Sequence, residues 1–144
     1  MNKILIVDDD PISRRIMASA LSVFDYDTVQ ARNGDAALRF IEDNRDVSLI
    51  VTDMDMPEIS GREFISLLKQ DPSLAPVPVI IVSGVVALAD ISDLLARGAS
   101  YFVPKPIDSA LLREYTLNLL TGRIADNVAL SRSVKCIENG GLSE

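Results

Sequence analysis

Five short apolar runs, each followed by a segment with helical periodicity, constrain the fold of this 144-residue chain more than any other feature. The runs are KILIV (3–7), DTVQA (27–31), VSLIV (47–51), PVIIV (78–82) and SYFV (100–103). Three of them are rich in valine and isoleucine, which favour strands, and runs this continuous are typical of strands buried on both faces. The order of elements therefore predicts an α/β domain built on a five-stranded parallel sheet.

The segments between the runs predict five helices, over residues 11–24, 35–43, 61–69, 87–97 and 108–121. The first carries apolar side chains at helical spacing, namely Ile12, Ile16, Ala20, Val23 and Phe24. The fourth carries a similar stripe of Leu88, Ile91, Leu94 and Leu95. Three residues mark helix ends: Pro11 suits a first turn, Asp108 an N-cap, and Gly98 a stop.

Length and composition indicate one folded domain. The chain is 48% hydrophobic and 24% charged, which is enough apolar material for a core. We predict this domain over residues 1–121 and a separate C-terminal segment over 122–144. Two interpretations of the C-terminal segment stay open: a partly helical tail, or a linker to an output domain or a dimerisation helix.

Charge and residue usage exclude several functions. The net charge of −7 disfavours direct binding to nucleic acid, and the N-terminus resembles neither a signal peptide nor a membrane span. A single cysteine, Cys136, cannot form an internal disulfide and fits a reducing compartment. Because the chain has no histidine, it contains neither a Ser-His-Asp triad nor a histidine metal site.

Chemically active residues follow four of the predicted strands. The first strand is followed by Asp8, Asp9 and Asp10, and the third by Asp53 and, two residues on, Asp55. The fourth ends at Ser83-Gly84, and the fifth leads into Lys105 between two prolines. Open α/β sheets bind ligands at the carboxyl ends of their strands. We therefore expect these side chains to converge at one edge of the sheet.

Such a cluster of carboxylates needs cations. Two like charges about 4 Å apart repel by roughly 4 kcal/mol at an effective dielectric near 20. An oxygen-only acidic site suits Mg²⁺, and Lys105 offers a second positive charge. A phosphoryl group fits this arrangement, with Ser83 as a hydrogen-bond donor and one aspartate as the nucleophile. A single aspartate at a strand end is more often structural, so the prediction depends on all four strand ends together.

The ordered motifs resemble the receiver domain of two-component response regulators. The residues that carry the resemblance are ILIVDDDP (4–11), ARNGDAAL (31–38), VTDMDMPEISG (51–61), VIIVSG (79–84) and LLARGASYFVPKPI (94–107). The resemblance covers roughly residues 3–121. It implies a flavodoxin-like fold, with strand order 2-1-3-4-5 and five helices on both faces of the sheet.

The resemblance also implies roles for single residues. It makes Asp53 the phosphoacceptor, with Ser83 and Lys105 as the other catalytic residues. It places Mg²⁺ on Asp9 directly, on Asp8 through water, on Asp53, and on the backbone carbonyl of Asp55. A Lys105-Pro106 peptide of this kind is usually cis. Ser83 and the aromatic Phe102 would be the switch residues.

At the level of function, the resemblance implies a cytoplasmic, bacterial signalling module. It would take its phosphoryl group from a histidine kinase or a histidine phosphotransfer protein. It would not be a turnover enzyme, although it would catalyse its own phosphorylation and dephosphorylation. The modified form would switch its α4-β5-α5 surface and so control an output protein or output domain; a homodimer is an alternative outcome.

Three other classes of protein fit less well. A phosphatase of the haloacid-dehalogenase kind also uses Asp-x-Asp at a strand end, but its extra acidic pair comes last in the chain, whereas Asp8 and Asp9 come first here. A nucleotide or flavin binder needs a glycine- or Ser/Thr-rich phosphate loop after the first strand, where this chain has VDDDP. A receiver-like docking module without phosphorylation would be expected to have lost Asp53, Lys105 or the acidic pair.

Overall fold

A computed structural model describes residues 3–84 and 87–122, and these form a five-stranded sheet with five helices. The strands are β1 (Lys3–Val7), β2 (Asp27–Ala31), β3 (Val47–Asp53), β4 (Val79–Ser83) and β5 (Tyr101–Pro104). The helices are α1 (Pro11–Leu21), α2 (Gly34–Asp43), α3 (Gly61–Gln70), α4 (Leu88–Ala96) and α5 (Ser109–Gly122). The predicted C-terminal segment 122–144 lies, after Gly122, outside the described residues.

The strands are all parallel and lie in the order β2-β1-β3-β4-β5. This confirms the predicted fold class and strand order. The chain moves outward from β1 to β2 and then returns across β1 to β3, so the order reverses between β1 and β3. At such a reversal the connections leave in opposite directions and open a crevice at the carboxyl ends of the two strands.

The sheet separates two apolar cores. On one face, Leu5, Val7, Ile50 and Ile81 pack with the helical side chains of α2, α3 and α4, among which Phe64 is fully buried. The opposite face of the same strands packs against α1 and α5. Since the central strands are buried on both faces, their sequences are continuously apolar rather than alternating.

The three residues predicted to mark helix ends lie at helix ends in the structure, although α1 ends at Leu21 rather than at residue 24. Asp10 caps α1, because its side chain accepts a hydrogen bond from the amide of Ile12 (3.0 Å), and Pro11 follows in the first turn. Asp108 accepts from the amide of Leu111 (3.1 Å) at the start of α5. Gly98, with φ 118°, follows the last turn of α4. Only glycine adopts that backbone conformation without strain.

The apolar stripe predicted on α1 does not mark its buried face. Ile12 and Val23 are 66% and 68% exposed, and Ile16 is 42% exposed. The buried side chains of α1 are Ser13, Met17, Ala20 and Leu21, so within this helix only Ala20 of the predicted stripe is buried. The reason is tertiary: Met17 and Leu21 pack in the core with Ile4 and Ile6 of β1. Ser13, on the same side of the helix, donates to the Asp10 carboxylate (3.0 Å) and so keeps a hydrogen-bond partner.

The stripe predicted on α4 is also mostly exposed. Leu94 is buried, whereas Leu88 is 82% and Leu95 45% exposed. The residue before the helix, Ala87, provides no side-chain cap. By contrast, α3 buries four residues and begins with a capping box between Ser60 and Glu63. Within the described residues, no helix has the length and apolar character needed to cross a membrane.

Candidate functional site

The crevice between β1 and β3 holds an acidic cluster. Asp8 follows β1 directly and is fully buried, Asp9 is exposed, and Asp53 is the last residue of β3 and only 4% exposed. Each offers a carboxylate oxygen, and these oxygens lie within 4.8 Å of one another. The cluster therefore has the oxygen-only donors that a hard cation such as Mg²⁺ prefers.

A lysine from the other side of the crevice pairs with two of these carboxylates. Lys105 Nζ lies 3.0 Å from Asp8 Oδ2, to which it donates a hydrogen bond, and 3.5 Å from Asp53 Oδ1. The amide of Lys105 donates to the carbonyl of Ser83 (2.8 Å), which ties this residue to the end of β4. The Lys105-Pro106 peptide is cis, as the family resemblance implies.

The surroundings of Asp53 disfavour its charged form. Burial, and then the negative charge of Asp8, raise the pKa of Asp53 to about 6, although the charge of Lys105 acts in the opposite direction. Lys105 shows the reverse balance. Burial lowers its pKa, but the hydrogen bond to Asp8 and the charges of Asp53 and Asp8 outweigh burial, so the net shift is upward. A second cation in this cluster would relieve the remaining repulsion.

The third side of the site comes from the end of β4. Ser83 is fully buried, and its hydroxyl donates to the Asp55 carboxylate at 3.5 Å. Asp55 itself is exposed. On the neighbouring strand, Phe102 is partly buried and packs against the core shared by α2, α3 and α4. The structure thus brings Asp8, Asp9, Asp53 and Lys105 together, with Ser83 and Asp55 beside them and Phe102 one strand away.

Two residues beside the site were not identified from the sequence. Arg14 Nη1 donates to the carbonyl of Asp8 (2.7 Å), and its Nε donates to the side chain of Gln30 (3.2 Å), so it holds the loop that carries the acidic pair. A cation in the first turn of a helix opposes the helix dipole, and this could have drawn attention to it. The second is Gly61.

Gly61 allows α3 to approach the backbone of the acidic site. Its amide donates to the carbonyl of Met54 (2.8 Å). A Cβ atom at position 61 would lie 2.5 Å from the carbonyl oxygen of Asp53 and 2.8 Å from Met54 Cα. In the loop between β3 and α3, Glu58 has φ 69°, a conformation that favours glycine. The Met-Pro-Glu-Ile-Ser-Gly run therefore sets the path of the chain from Asp53 to α3.

Comparison with known proteins identifies the family. The family model described as "Response regulator receiver domain" matches residues 4–116. The chain belongs to the response regulator receiver family. Among similar receivers, "Chemotaxis protein CheY1" of Helicobacter pylori (strain ATCC 700392 / 26695) is 29% identical, over 78% of this chain and 91% of that protein.

Other relatives and solved structures agree. The "Chemotaxis protein CheY homolog" of Campylobacter jejuni subsp. jejuni serotype O:23/36 is 30% identical, over 78% of this chain and 87% of that protein. A signal receiver domain of a signal transduction histidine kinase from Syntrophus aciditrophicus is 33% identical. It superposes with a TM-score of 0.76, over 85% of this chain and 92% of the other. A response regulator from Chloroflexus aurantiacus, at 23% identity and a TM-score of 0.78, shares the fold.

Membership of the receiver family decides against two of the classes that the sequence left open, the haloacid-dehalogenase phosphatase and the nucleotide or flavin binder. It accounts for the acidic pair that precedes the Asp-x-Asp strand, which a haloacid-dehalogenase phosphatase would carry last. It also accounts for the absence of a phosphate-binding loop after β1. The prediction that this chain is a receiver domain is therefore confirmed, and receivers are generally signalling modules rather than turnover enzymes.

Proposed function

We propose that this receiver takes a phosphoryl group from a phosphohistidine onto Asp53, with Mg²⁺ bound beside it. The observation that carries the proposal is the environment of Asp53. This carboxylate is almost fully buried, lies within 4.8 Å of carboxylate oxygens of Asp8 and Asp9, and is 3.5 Å from the Lys105 ammonium. A purely structural role would not place three carboxylates and one lysine at a single crevice of the sheet.

The transfer is a direct displacement at phosphorus. An Asp53 carboxylate oxygen bonds to phosphorus while the phosphorus–nitrogen bond of the donor breaks, and the imidazole nitrogen takes the electron pair and a proton from solvent. The product is an acyl phosphate on Asp53. Since this chain has no histidine, the donor belongs to a partner, either a histidine kinase or a histidine phosphotransfer protein.

Charge neutralisation is the main requirement for that step. Asp8, Asp9 and Asp53, with the backbone carbonyl of Asp55, would hold Mg²⁺, which neutralises charge on the phosphoryl oxygens when bound. Lys105 remains beside Asp53 and pairs with the incoming group. The hydroxyl of Ser83 donates to a phosphoryl oxygen once it leaves Asp55, to which it donates at 3.5 Å in this structure. Later attack by water at phosphorus releases phosphate and restores the carboxylate.

The output follows from the movement of Ser83 toward the phosphoryl group. This movement shifts the loop between β4 and α4 and favours an inward position of Phe102 on β5. The equilibrium of the α4-β5-α5 surface shifts as a result. That surface exposes Leu88 and Leu95 on α4 and Leu117 on α5, which suits contact with an output protein, an output domain or a second copy of the chain.

The remaining parts of the proposal concern the whole chain. The receiver would extend over residues 1–121, and residues 122–144 would form a tail or a linker. The protein would act in the cytoplasm, where histidine kinases present their phosphohistidine. Direct binding to nucleic acid is not part of this function, because the net charge is −7.

The acceptor can be mapped chemically. We would incubate the protein with phosphoramidate, a small donor with a phosphorus–nitrogen bond, and Mg²⁺, and then reduce the acyl phosphate with borohydride. Peptide mapping should find the reduced side chain at position 53. Asp55, two residues away and exposed, is the internal control. Reduction at Asp55 or Asp9 in place of Asp53 would show that the acceptor has been misassigned.

A further inference from the structure

Helix α4 has little apolar burial and several charged contacts to the rest of the domain. It buries one side chain, Leu94, and has no side-chain cap at its N-terminus. Its remaining leucines, Leu88 and Leu95, are exposed. Burial of a single leucine stabilises a contact by only about 1.5–3 kcal/mol, so other interactions must help to fix the position of the helix.

Those other interactions come from α3. Arg62 Nη2 donates to Asp90 Oδ1 at 3.2 Å, and Arg62 Nε lies 2.8 Å from Asp93 Oδ2. Asp93 Oδ2 also accepts from Arg97 Nε (2.9 Å), and Arg97 Nη1 donates to Ser66 Oγ on α3 (3.0 Å). These five residues form one connected network, which we call the α3–α4 clasp.

Arg62 is less solvated than an ordinary surface arginine. Its side chain is 39% exposed, but the Nε atom is buried and has the carboxylate of Asp93 as its close neighbour, without a hydrogen bond. Loss of that carboxylate would leave the buried N–H without its close anionic neighbour. The contact between Arg62 and Asp93 therefore contributes more to stability than an exposed ion pair, which typically contributes little.

The clasp begins next to the phosphoacceptor. Arg62 follows Gly61, whose amide donates to the carbonyl of Met54 and whose Cα lies so close to Asp53 that no Cβ would fit. At its other end, the clasp holds Asp90 in the first turn of α4, just beyond the loop that follows Ser83. It is thus a connection between the acceptor strand β3 and α4 that does not pass through Ser83 or Phe102.

We propose that the α3–α4 clasp holds α4 in the resting arrangement of this receiver and restrains its release. The clasp is electrostatic, so salt weakens it, because ions screen charges beyond about 8 Å at physiological ionic strength and beyond about 3 Å at 1 M. The anchoring of α4 follows from these contacts alone, whereas the restraint on switching also depends on the proposed function.

Hydrogen exchange of backbone amides tests the anchoring in the unphosphorylated protein. Arg62→Gln should raise the exchange rates of α4 amides by about threefold to tenfold, and salt should raise them more in the wild type than in the variant, which keeps the Arg97–Asp93 pair. Arg39→Gln is the matched control, because Arg39 pairs with Asp35 within α2 and contacts no other helix through that pair. Asp93→Asn should reproduce the effect of Arg62→Gln.

The double variant sharpens the test. If Arg62 and Asp93 act through each other, Arg62→Gln with Asp93→Asn should raise the exchange rates by less than the product of the two single effects. Unchanged α4 exchange in both single variants would overturn the clasp. An equal increase over the whole domain would overturn it too, because that result indicates general destabilisation.

Binding of beryllofluoride with Mg²⁺, a non-covalent substitute for the phosphoryl group, tests the restraint on switching. Arg62→Gln should bind it about threefold to tenfold more tightly than the wild type, because no clasp then has to open, and Arg39→Gln should not. Equal affinity in Arg62→Gln and the wild type would overturn the restraint. If the wild type binds no beryllofluoride, the proposed function fails, while the exchange result still decides the anchoring.

Discussion

The charged form of Asp53 is disfavoured by the folded structure. Its pKa is raised from 3.8 to about 6 by burial and by the charge of Asp8. Between pH 3.8 and about 6, the Asp53 carboxyl is therefore protonated in the folded state and ionised in the unfolded chain. This contribution to stability is fully present below pH 3.8 and is lost as the pH rises through about 6.

Asp53→Asn should accordingly stabilise the metal-free protein at pH 7. One pH unit corresponds to about 1.36 kcal/mol, so the raised pKa implies a gain of up to roughly 3 kcal/mol in the free energy of unfolding. Urea unfolding between pH 4 and 7.5 measures it. The curves of wild type and variant should diverge as the pH rises, while Asp43→Asn on the exposed end of α2 should follow the wild type. If the stability of Asp53→Asn and that of the wild type change with pH in parallel, the fold does not disfavour the charged form of Asp53.

Lys105 should contribute more to the conformational response to phosphorylation than to Mg²⁺ binding. Its ammonium pairs with Asp8 and Asp53, but the carboxylate cluster that suits Mg²⁺ does not include it. We expect Lys105→Ala to retain Mg²⁺ binding in a calorimetric titration and to show smaller amide shifts in α4 and β5 on phosphorylation. Loss of Mg²⁺ binding would mean that the lysine has a different role.

At the scale of elements, the closest approach in the site is that of α3 to the backbone of β3. Gly61→Ala would place a methyl group 2.5 Å from the carbonyl oxygen of Asp53, which the backbone cannot accommodate without moving. We expect a loss of about 2 kcal/mol or more in the free energy of unfolding. Gly84→Ala is the matched control, because its nearest neighbour would be Lys105 Cβ at 3.8 Å, an ordinary contact.

Chemical denaturation of the two variants measures this difference. Gly84→Ala should unfold at the wild-type denaturant concentration or slightly above it, since alanine reduces the entropy of the unfolded chain. A Gly61→Ala variant as stable as Gly84→Ala would show that α3 can move away from Asp53 without loss.

The elements also show how far the sequence determines the structure. All five strands and all five helices were predicted, because continuous apolar runs and helical spacing are local signals, and the N-cap Asp108 is local too. The buried face of α1 was predicted only in part: Ala20 is buried, but Ile12 and Ile16 are exposed. That helix carries two neighbouring apolar stripes, and hydrophobicity alone cannot select between them, because the packing of Met17 and Leu21 against the sheet is a tertiary contact.

The site was predictable for the same reason that the fold was. Parallel strands bring their carboxyl ends to one edge, so Asp8, Asp53, Ser83 and Lys105 had to converge once the strands were identified. Contacts that depend on tertiary distances were not predictable. The bond from Arg14 to the Asp8 carbonyl and the network around Arg62 join residues whose types are ordinary on a helix surface.

At the scale of the whole molecule, the acidic cluster links metal binding to global stability. A ligand that binds only the folded state stabilises it by about 2.7 kcal/mol at 100 times its dissociation constant. Mg²⁺ should therefore raise the melting temperature by several degrees, at constant ionic strength set with NaCl. Asp9→Asn should abolish most of this increase at little cost to the metal-free protein, because Asp9 is exposed. An equal increase in both proteins would place the ion elsewhere.

Intact mass after incubation with acetyl phosphate and Mg²⁺, for wild type and Asp53→Asn side by side, shows whether Asp53 is the phosphoacceptor. We expect one added phosphoryl group on the wild type, lost over time as water attacks the acyl phosphate, and none on the variant. No adduct on the wild type at any Mg²⁺ concentration, or the same adduct on both proteins, would contradict the assignment of Asp53 as the phosphoacceptor.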